Sequence, residues 1–276
     1  MTAPVESQAW SAAPPGVSAE GDACLLASVA EGGVLVLTMN LSRRKNALSD
    51  ELRNGLRDAL GAAMADTAIR SVVLTGSGGC FCAGGDIKGM GRPIPEATQR
   101  LEVLHDVIRM IALGPKPVVA AVEGVAYGGG WSLAACCDTV VAHASARFCA
   151  SFGKVGLVPD MGIMWSLPQR VGPARARRLL QSGREVGAAE AVEIGAADVL
   201  TDDDPVACAI DEARALVPFA PLPATYLRAI ISEHHGALSA VLAAERKAQQ
   251  ALFATRDHAE AREAFLEKRP PRFMGD

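Results

Sequence analysis

The sequence predicts an α/β fold built on a parallel sheet and closed by a helical C-terminal region, on three observations. First, VLVLTMN (34–40), SVVLTG (71–76), PVVAAVEG (117–124) and DTVVAH (138–143) are short, nearly unbroken apolar runs. Strands covered on both faces read this way. Second, helix-patterned stretches with short connections separate them, as βαβ crossovers require. Third, strand signals stop near residue 200. Pro205–Leu216, Pro223–His235, Ala237–Ala254 and Asp257–Lys268 all read as helix. The expected organisation is a disordered tail over 1–22, an α/β core over 23–200 and a helical region over 201–276.

Each element has its own signal. In residues 47–66 leucines recur at helical spacing. Ser49 or Asn46 is the candidate cap, with Asp50 and Glu51 in the first turn favouring Ser49. Glu96–Leu113 is amphipathic, and WSLAACC (131–137) is a helix of small residues. Gly91–Pro95 and Pro218–Pro223 are the expected flexible connections. No internal repeat is present.

Bulk properties exclude several function classes. The chain has 276 residues, 50% of them hydrophobic, and a formal net charge of −4. Its longest basic run is Arg43–Lys45, so it lacks the basic face that nucleic acid needs. No apolar run reaches the ~18 residues of a membrane span. The first twenty residues have neither the basic start nor the apolar stretch of a signal peptide, and a cytoplasmic location is expected. Cys24, Cys80, Cys82, Cys136, Cys137, Cys149 and Cys208 contain no C-x-x-C pair. Reduced, packed thiols are expected, and no metal.

Two glycine turns carry the chemistry. Phe81-Cys82-Ala83-Gly84-Gly85-Asp86-Ile87 and Ala126-Tyr127-Gly128-Gly129-Gly130-Trp131-Ser132 each follow a buried strand and lead towards helix-like sequence. Glycines let backbone N–H groups face open space, and a helix start adds the positive end of its dipole. Two such turns at neighbouring strand ends can hold one carbonyl oxygen, which is an oxyanion hole. Either turn alone could simply allow close packing. Neither fits a nucleotide-phosphate loop.

FCAGGDI followed by PVVAAVEGVAYGGGWSLAACCD resembles the signature of the crotonase superfamily, the enoyl-CoA hydratase/isomerase family. The resemblance spans roughly residues 32–276. It implies a spiral ββα core, a C-terminal helical trimerisation region, and an acyl-CoA substrate with no further cofactor. A homotrimer or dimer of trimers is the implied assembly. By position, the Gly85 and Gly129 N–H groups would be the oxyanion donors, flanked by Ala83, Gly84, Ile87 and Gly128. Asp86 would brace its loop by accepting backbone N–H bonds. SRRKNALS (42–49), with Arg44, Lys45 and Ala47, matches the adenine-side segment. Phe265 and Lys268 in AFLEKRPPRF (264–273) match positions that touch CoA across a subunit boundary in relatives.

Family hydratases position water with two glutamates. Here those positions are Ser132 and Phe152, neither of which can hold and split water as a base, so two-glutamate hydration is disfavoured. One step along, Asp160 in LVPDMG (157–162) matches acidic residues of delta-3,delta-2-enoyl-CoA isomerases, ring-epoxide isomerases and 4-chlorobenzoyl-CoA dehalogenase. A single carboxylate beside an oxyanion hole suffices to move a proton from the α to the γ carbon. Burial against Phe152, Met161 and Trp165 would raise its pKa. The alternative is an Asp that caps a helix starting near Gly162. His105, twelve residues before Pro117, matches the water-activating His of the dehalogenase, or is an interior His. Trp131 and Trp165 either line an acyl pocket or pack in the core. Isomerisation leads, with Asp160–His105 hydrolysis or hydration second and a non-catalytic CoA-binding subunit third.

Overall fold

The computed structural model describes residues 7–89, 91, 93–217, 227–228 and 238–272. Its main sheet runs in the order β1 (Ser7–Ala9), β3 (Leu25–Ala30), β4 (Val34–Met39), β5 (Ser71–Gly76), β6 (Val118–Val122), β8 (Thr139–His143) and β11 (Val199–Thr201), with β2 (Val17–Ser18) beside β3. From β4 to β11 every pairing is parallel, while β1–β3 and β3–β4 pair antiparallel and β2 lies parallel to β3. A second sheet joins β7 (Val125–Tyr127), β9 (Arg147–Cys149) and β10 (Glu185–Gly187). The predicted α/β class is therefore present.

The apolar strand runs are two-sided because both faces are covered. One face packs against α1 (Asp50–Ala65), α2 (Ile94–Leu113), α3 (Gly129–Ala135), α4 (Ile163–Val171), α5 (Pro173–Ser182) and α6 (Ala188–Glu193). On the other, Val34, Val73, Val119 and Val141 meet Ala209, Ile210 and Ala213 of α7 (Pro205–Ala215). Among the described residues, α8 (Leu238–Leu252) and α9 (Arg256–Glu267) follow. The helix expected over Pro223–His235 lies outside the described residues except 227–228. No helix among the described residues is long and apolar enough to cross a membrane.

One expectation needs correction. Residues 7–22 are not a free tail, since β1 and β2 both pair with β3. Trp10 is buried, and its Nε1 donates to Asp66 Oδ2 at 2.9 Å. A polar segment with one large aromatic anchor reads as tail by composition but is fixed by that anchor.

Ser49 is the α1 cap, its side chain accepting the Leu52 N–H. Asn46 does something else. Fully buried at φ 53°, it accepts from Leu41 N at 2.8 Å and donates to Ser77 O at 3.0 Å and Cys80 O at 2.6 Å. It ties the 42–48 loop to the strand end that leads into the first glycine turn. Asn46→Ala would orphan all three partners, at an expected cost of about 2–4 kcal/mol. Urea denaturation would measure it, and a cost near zero would show that the loop closes without that side chain.

Candidate active site

The two glycine turns meet as the sequence predicts. Cys82 and Ala126 form a parallel bridge, with Cys82 N donating to Val125 O and Tyr127 N to Cys82 O, each at 2.9 Å. Only glycine permits the closeness that follows. A Cβ on Gly84 (φ +92°) would lie 2.6 Å from Tyr127 O, and one on Gly130 2.1 Å from Cys82 O. Among the described residues, no hydrogen bond to a protein acceptor involves the Gly85 or Gly129 N–H. Gly129 opens α3, so its N–H has no acceptor within the helix.

The 42–48 segment is stitched to the first turn. Leu48 N donates to Gly84 O at 2.8 Å and Ala83 N to Lys45 O at 2.9 Å. Arg44 pairs with the Asp86 carboxylate. Asp86 thus braces its loop through a guanidinium, and among the described residues no backbone N–H donates to its side chain. Arg44 and Lys45 are exposed and Ala47 is half-buried.

Gly85, Gly129 and Asp160 line one cavity of about 140 Å³, together with Ala83, Gly84, Ile87, Gly128 and Phe152. Leu101, Leu104, Leu157, Met161 and Phe253 supply most of its remaining apolar wall. Asp160 lies in the loop before α4. Its neighbour Met161 adopts φ 55°, a left-handed conformation unusual for a non-glycine residue. Met161 packs on the second glycine turn, since a Cβ on Gly129 would lie 2.8 Å from Met161 Sδ. The strained residue links Asp160 to the turn.

Asp160 does not cap α4. The α4 cap is Gly162, with no side-chain cap bond, and Asp160 Oδ2 instead accepts from Gln249 Nε2 at 2.7 Å. Burial pushes its pKa up to about 6, while the Gln249 N–H pulls the other way. Behind it Glu245, fully buried, accepts the Gly162 N–H on both carboxylate oxygens at 3.2 Å. Burial, then the Asp160 charge, push Glu245 up to about 8.

Several predicted site residues stand apart from the cavity. His105 is 1% exposed and does not line it. Burial drives its pKa down to about 4, so the 3.7 Å approach of Nε2 to Glu245 Oε2 joins two uncharged groups near neutral pH. Its placement on the apolar side of α2 turns it into the interior. Trp131 has no exposed surface and stacks at a tilt on Phe148, ring centroids 5.9 Å apart, so it is core. Ser132 is also fully buried, and its Oγ donates to Asp160 O at 2.9 Å. It supports the Asp160 loop instead of meeting substrate. Phe265 is 58% exposed and Lys268 lies on the surface. Neither lines the cavity.

Sequence reasoning missed Glu245 and Gln249. A signal existed. Leu238, Leu242, Glu245 and Gln249 occupy one helical stripe at spacings of four, three and four, and all four are buried. Two polar residues continuing an apolar stripe mark a buried polar contact.

Comparison with known proteins agrees with this architecture. The family model described as enoyl-CoA hydratase/isomerase matches residues 29–276. The 1,2-epoxyphenylacetyl-CoA isomerase of Escherichia coli is 36% identical over 255 residues, covering 89% of this chain and 96% of the relative. The 2,3-dehydroadipyl-CoA hydratase of the same organism is 36% identical, covering 88% and 95%. Among solved structures, an enoyl-CoA hydratase/isomerase from Pseudoalteromonas atlantica superposes with a TM-score of 0.80 at 33% identity, covering 91% of this chain and all of that one. An enoyl-CoA hydratase from Mycobacterium avium subsp. paratuberculosis gives 0.82 at 28% identity, covering 92% and 100%. The chain is an enzyme of the enoyl-CoA hydratase/isomerase family, within the crotonase superfamily.

Proposed function

We propose that the protein shifts a double bond in an acyl-CoA, using Asp160 as the only base and the Gly85 and Gly129 N–H groups as oxyanion donors. The carrying observation is that Asp160, half-buried, is the one carboxylate among the described residues that shares the cavity with both glycines. Asp160 removes the α proton of a 3-enoyl thioester, and the C–H electron pair moves onto the thioester oxygen as a dienolate. The two N–H groups stabilise that oxyanion. As the carbonyl re-forms, the α,β double bond appears and the γ carbon takes the proton back from the same carboxyl. The α and γ carbons lie on one side of a planar dienolate, so one base can serve both. No cofactor is required, because coenzyme A belongs to the substrate.

The relatives' names divide between isomerase and hydratase, so the support comes from the side chains. Two-acid hydration would need a second carboxyl at the cavity. Glu245 does not line it, and Ser132 and Phe152 occupy the glutamate positions. The Asp160–His105 reading would need His105 at the substrate, whereas that ring is enclosed in the core. An assembly of copies is supported by the adjacent exposed Phe265 and Leu266 on α9, and a monomeric mass by light scattering would remove it.

The test is turnover of 3-enoyl-CoA, followed by the absorbance of the conjugated product. Ready hydration of 2-enoyl-CoA with 3-enoyl-CoA untouched would sink the assignment. The acidic limb of kcat/KM gives a second check. Asp160 acts only when ionised, and its pKa is raised to about 6. Activity should therefore rise with pH through about 6, well above the usual carboxylate range. A limb near 4 would place the base elsewhere.

A further inference from the structure

Asp160 is held from behind by one face of α8. Gln249 Nε2 donates to Asp160 Oδ2 at 2.7 Å and to Val158 O at 3.2 Å. One turn earlier, Glu245 receives the Gly162 N–H on both oxygens at 3.2 Å. These bonds fix the loop two residues before and two residues after Asp160. Both side chains are fully buried, and neither lines the cavity. Among the described residues, Asp160 Oδ1 has no hydrogen-bond partner, while the residue itself faces the cavity.

We propose that Gln249 and Glu245 are positioning residues for Asp160: Gln249 occupies Oδ2 and leaves Oδ1 as the one oxygen that exchanges protons with substrate, while Glu245 anchors the loop through the Gly162 N–H. The inference rests on Asp160 being the base. A carboxylate with one oxygen tied cannot rotate, so the oxygen that takes the proton also returns it. The anchor is best uncharged, because an anionic Glu245 would oppose ionisation of Asp160 across a short buried gap. Burial favours the neutral acid at Glu245 in the working range.

Other titratable and charged groups surround this pair. From α2, His105 Nε2 stands 3.7 Å from Glu245 Oε2. Just past α3, Cys136 Sγ approaches Met161 O at 3.7 Å. Arg53 and Arg100 line the cavity and are held by Asp50 at 2.9 and 3.2 Å. His258 of α9 also lines it, with Nδ1 at 2.9 Å from Val155 O. At the surface Arg246 pairs with Glu102 at 2.6 Å.

The experiment titrates Asp160 in the full-length protein by NMR of aspartate labelled with carbon-13 at Cγ, the resonance being assigned by its loss in Asp160→Asn. Gln249→Met removes the donor at nearly constant volume. Its expected effects are an upward move of the Asp160 midpoint and a fall in kcat on the order of tenfold, with KM little changed. Glu245→Gln keeps an uncharged oxygen for the Gly162 N–H and should retain most of the activity, whereas Glu245→Leu should not. An Asp160 midpoint unmoved in a folded Gln249→Met protein overturns the Gln249 role. Equal losses in Glu245→Gln and Glu245→Leu overturn the Glu245 role. Retained isomerisation in Asp160→Asn would instead defeat the proposed function, while the titration would still report the Gln249–Asp160 bond.

Discussion

Asp160→Asn is expected to be inactive and yet more stable than the parent protein at pH 8. The activity loss should be on the order of 10²–10⁴ in kcat, the usual contribution of a positioned base. The stability gain follows from linkage. A carboxyl raised from 3.8 to about 6 on folding contributes stability that is fully present below 3.8. That contribution is lost as pH rises through about 6. The displacement corresponds to about 3 kcal/mol as an upper figure. Asparagine removes the burden of a buried charge and still offers an oxygen to Gln249 Nε2. Urea denaturation at pH 4 and pH 8 should therefore show little gain at the first and a clear gain at the second. Equal destabilisation at both would mean that Asp160 holds the loop together and is not poised for chemistry.

Gly130→Ala should have the next largest effect. The added Cβ would sit 2.1 Å from Cys82 O and 2.9 Å from Cys82 C. Both are backbone atoms of the facing turn, so neither can swing aside, and the turns must separate. Two N–H donors aimed at one oxygen tolerate little displacement, and a loss of about 10²–10³ in kcat is expected. Gly129→Ala meets only the flexible ends of Met161 and Leu48, at 2.8 and 3.0 Å, and should be milder. Gly153→Ala, with nothing within 4 Å, serves as the control. If Gly130→Ala matches the control in steady-state kinetics, the turns do not act as a paired device.

The legible parts of the sequence were those with a local physical signature. Val34–Met39, Ser71–Gly76 and Val118–Val122 announce themselves because both faces are covered. The turns at Gly84–Gly85 and Gly128–Gly130 do so because backbone approaches backbone there. Short strands such as Arg147–Cys149 and Glu185–Gly187 carry too few residues to show a period. The contrast between Asp160 and His105 is more instructive. Both sat at positions suggested by relatives, but only burial and hydrogen bonding distinguish a residue facing the cavity from one facing the core. Ser132 shows the same limit, since its spacing was readable and its Oγ partner, a carbonyl 28 residues on, was not. Glu245 and Gln249 were hidden for a different reason. The sequence predicts the helix, but what its stripe packs against depends on the tertiary fold.

The buried thiols have a consequence for the enzyme's own chemistry. A 2-enoyl thioester, the product of the proposed reaction, is an electrophile that alkylates thiolates by conjugate addition. Cys82 sits in the first glycine turn, next to the site where such a product would form. Burial pushes its pKa up to about 12, and Cys80 is raised by the same cause. Nucleophilicity belongs to the thiolate, so these sulfurs stay unreactive although they lie only three and five residues before Gly85. Close packing of the turn thereby also protects the catalyst from its product.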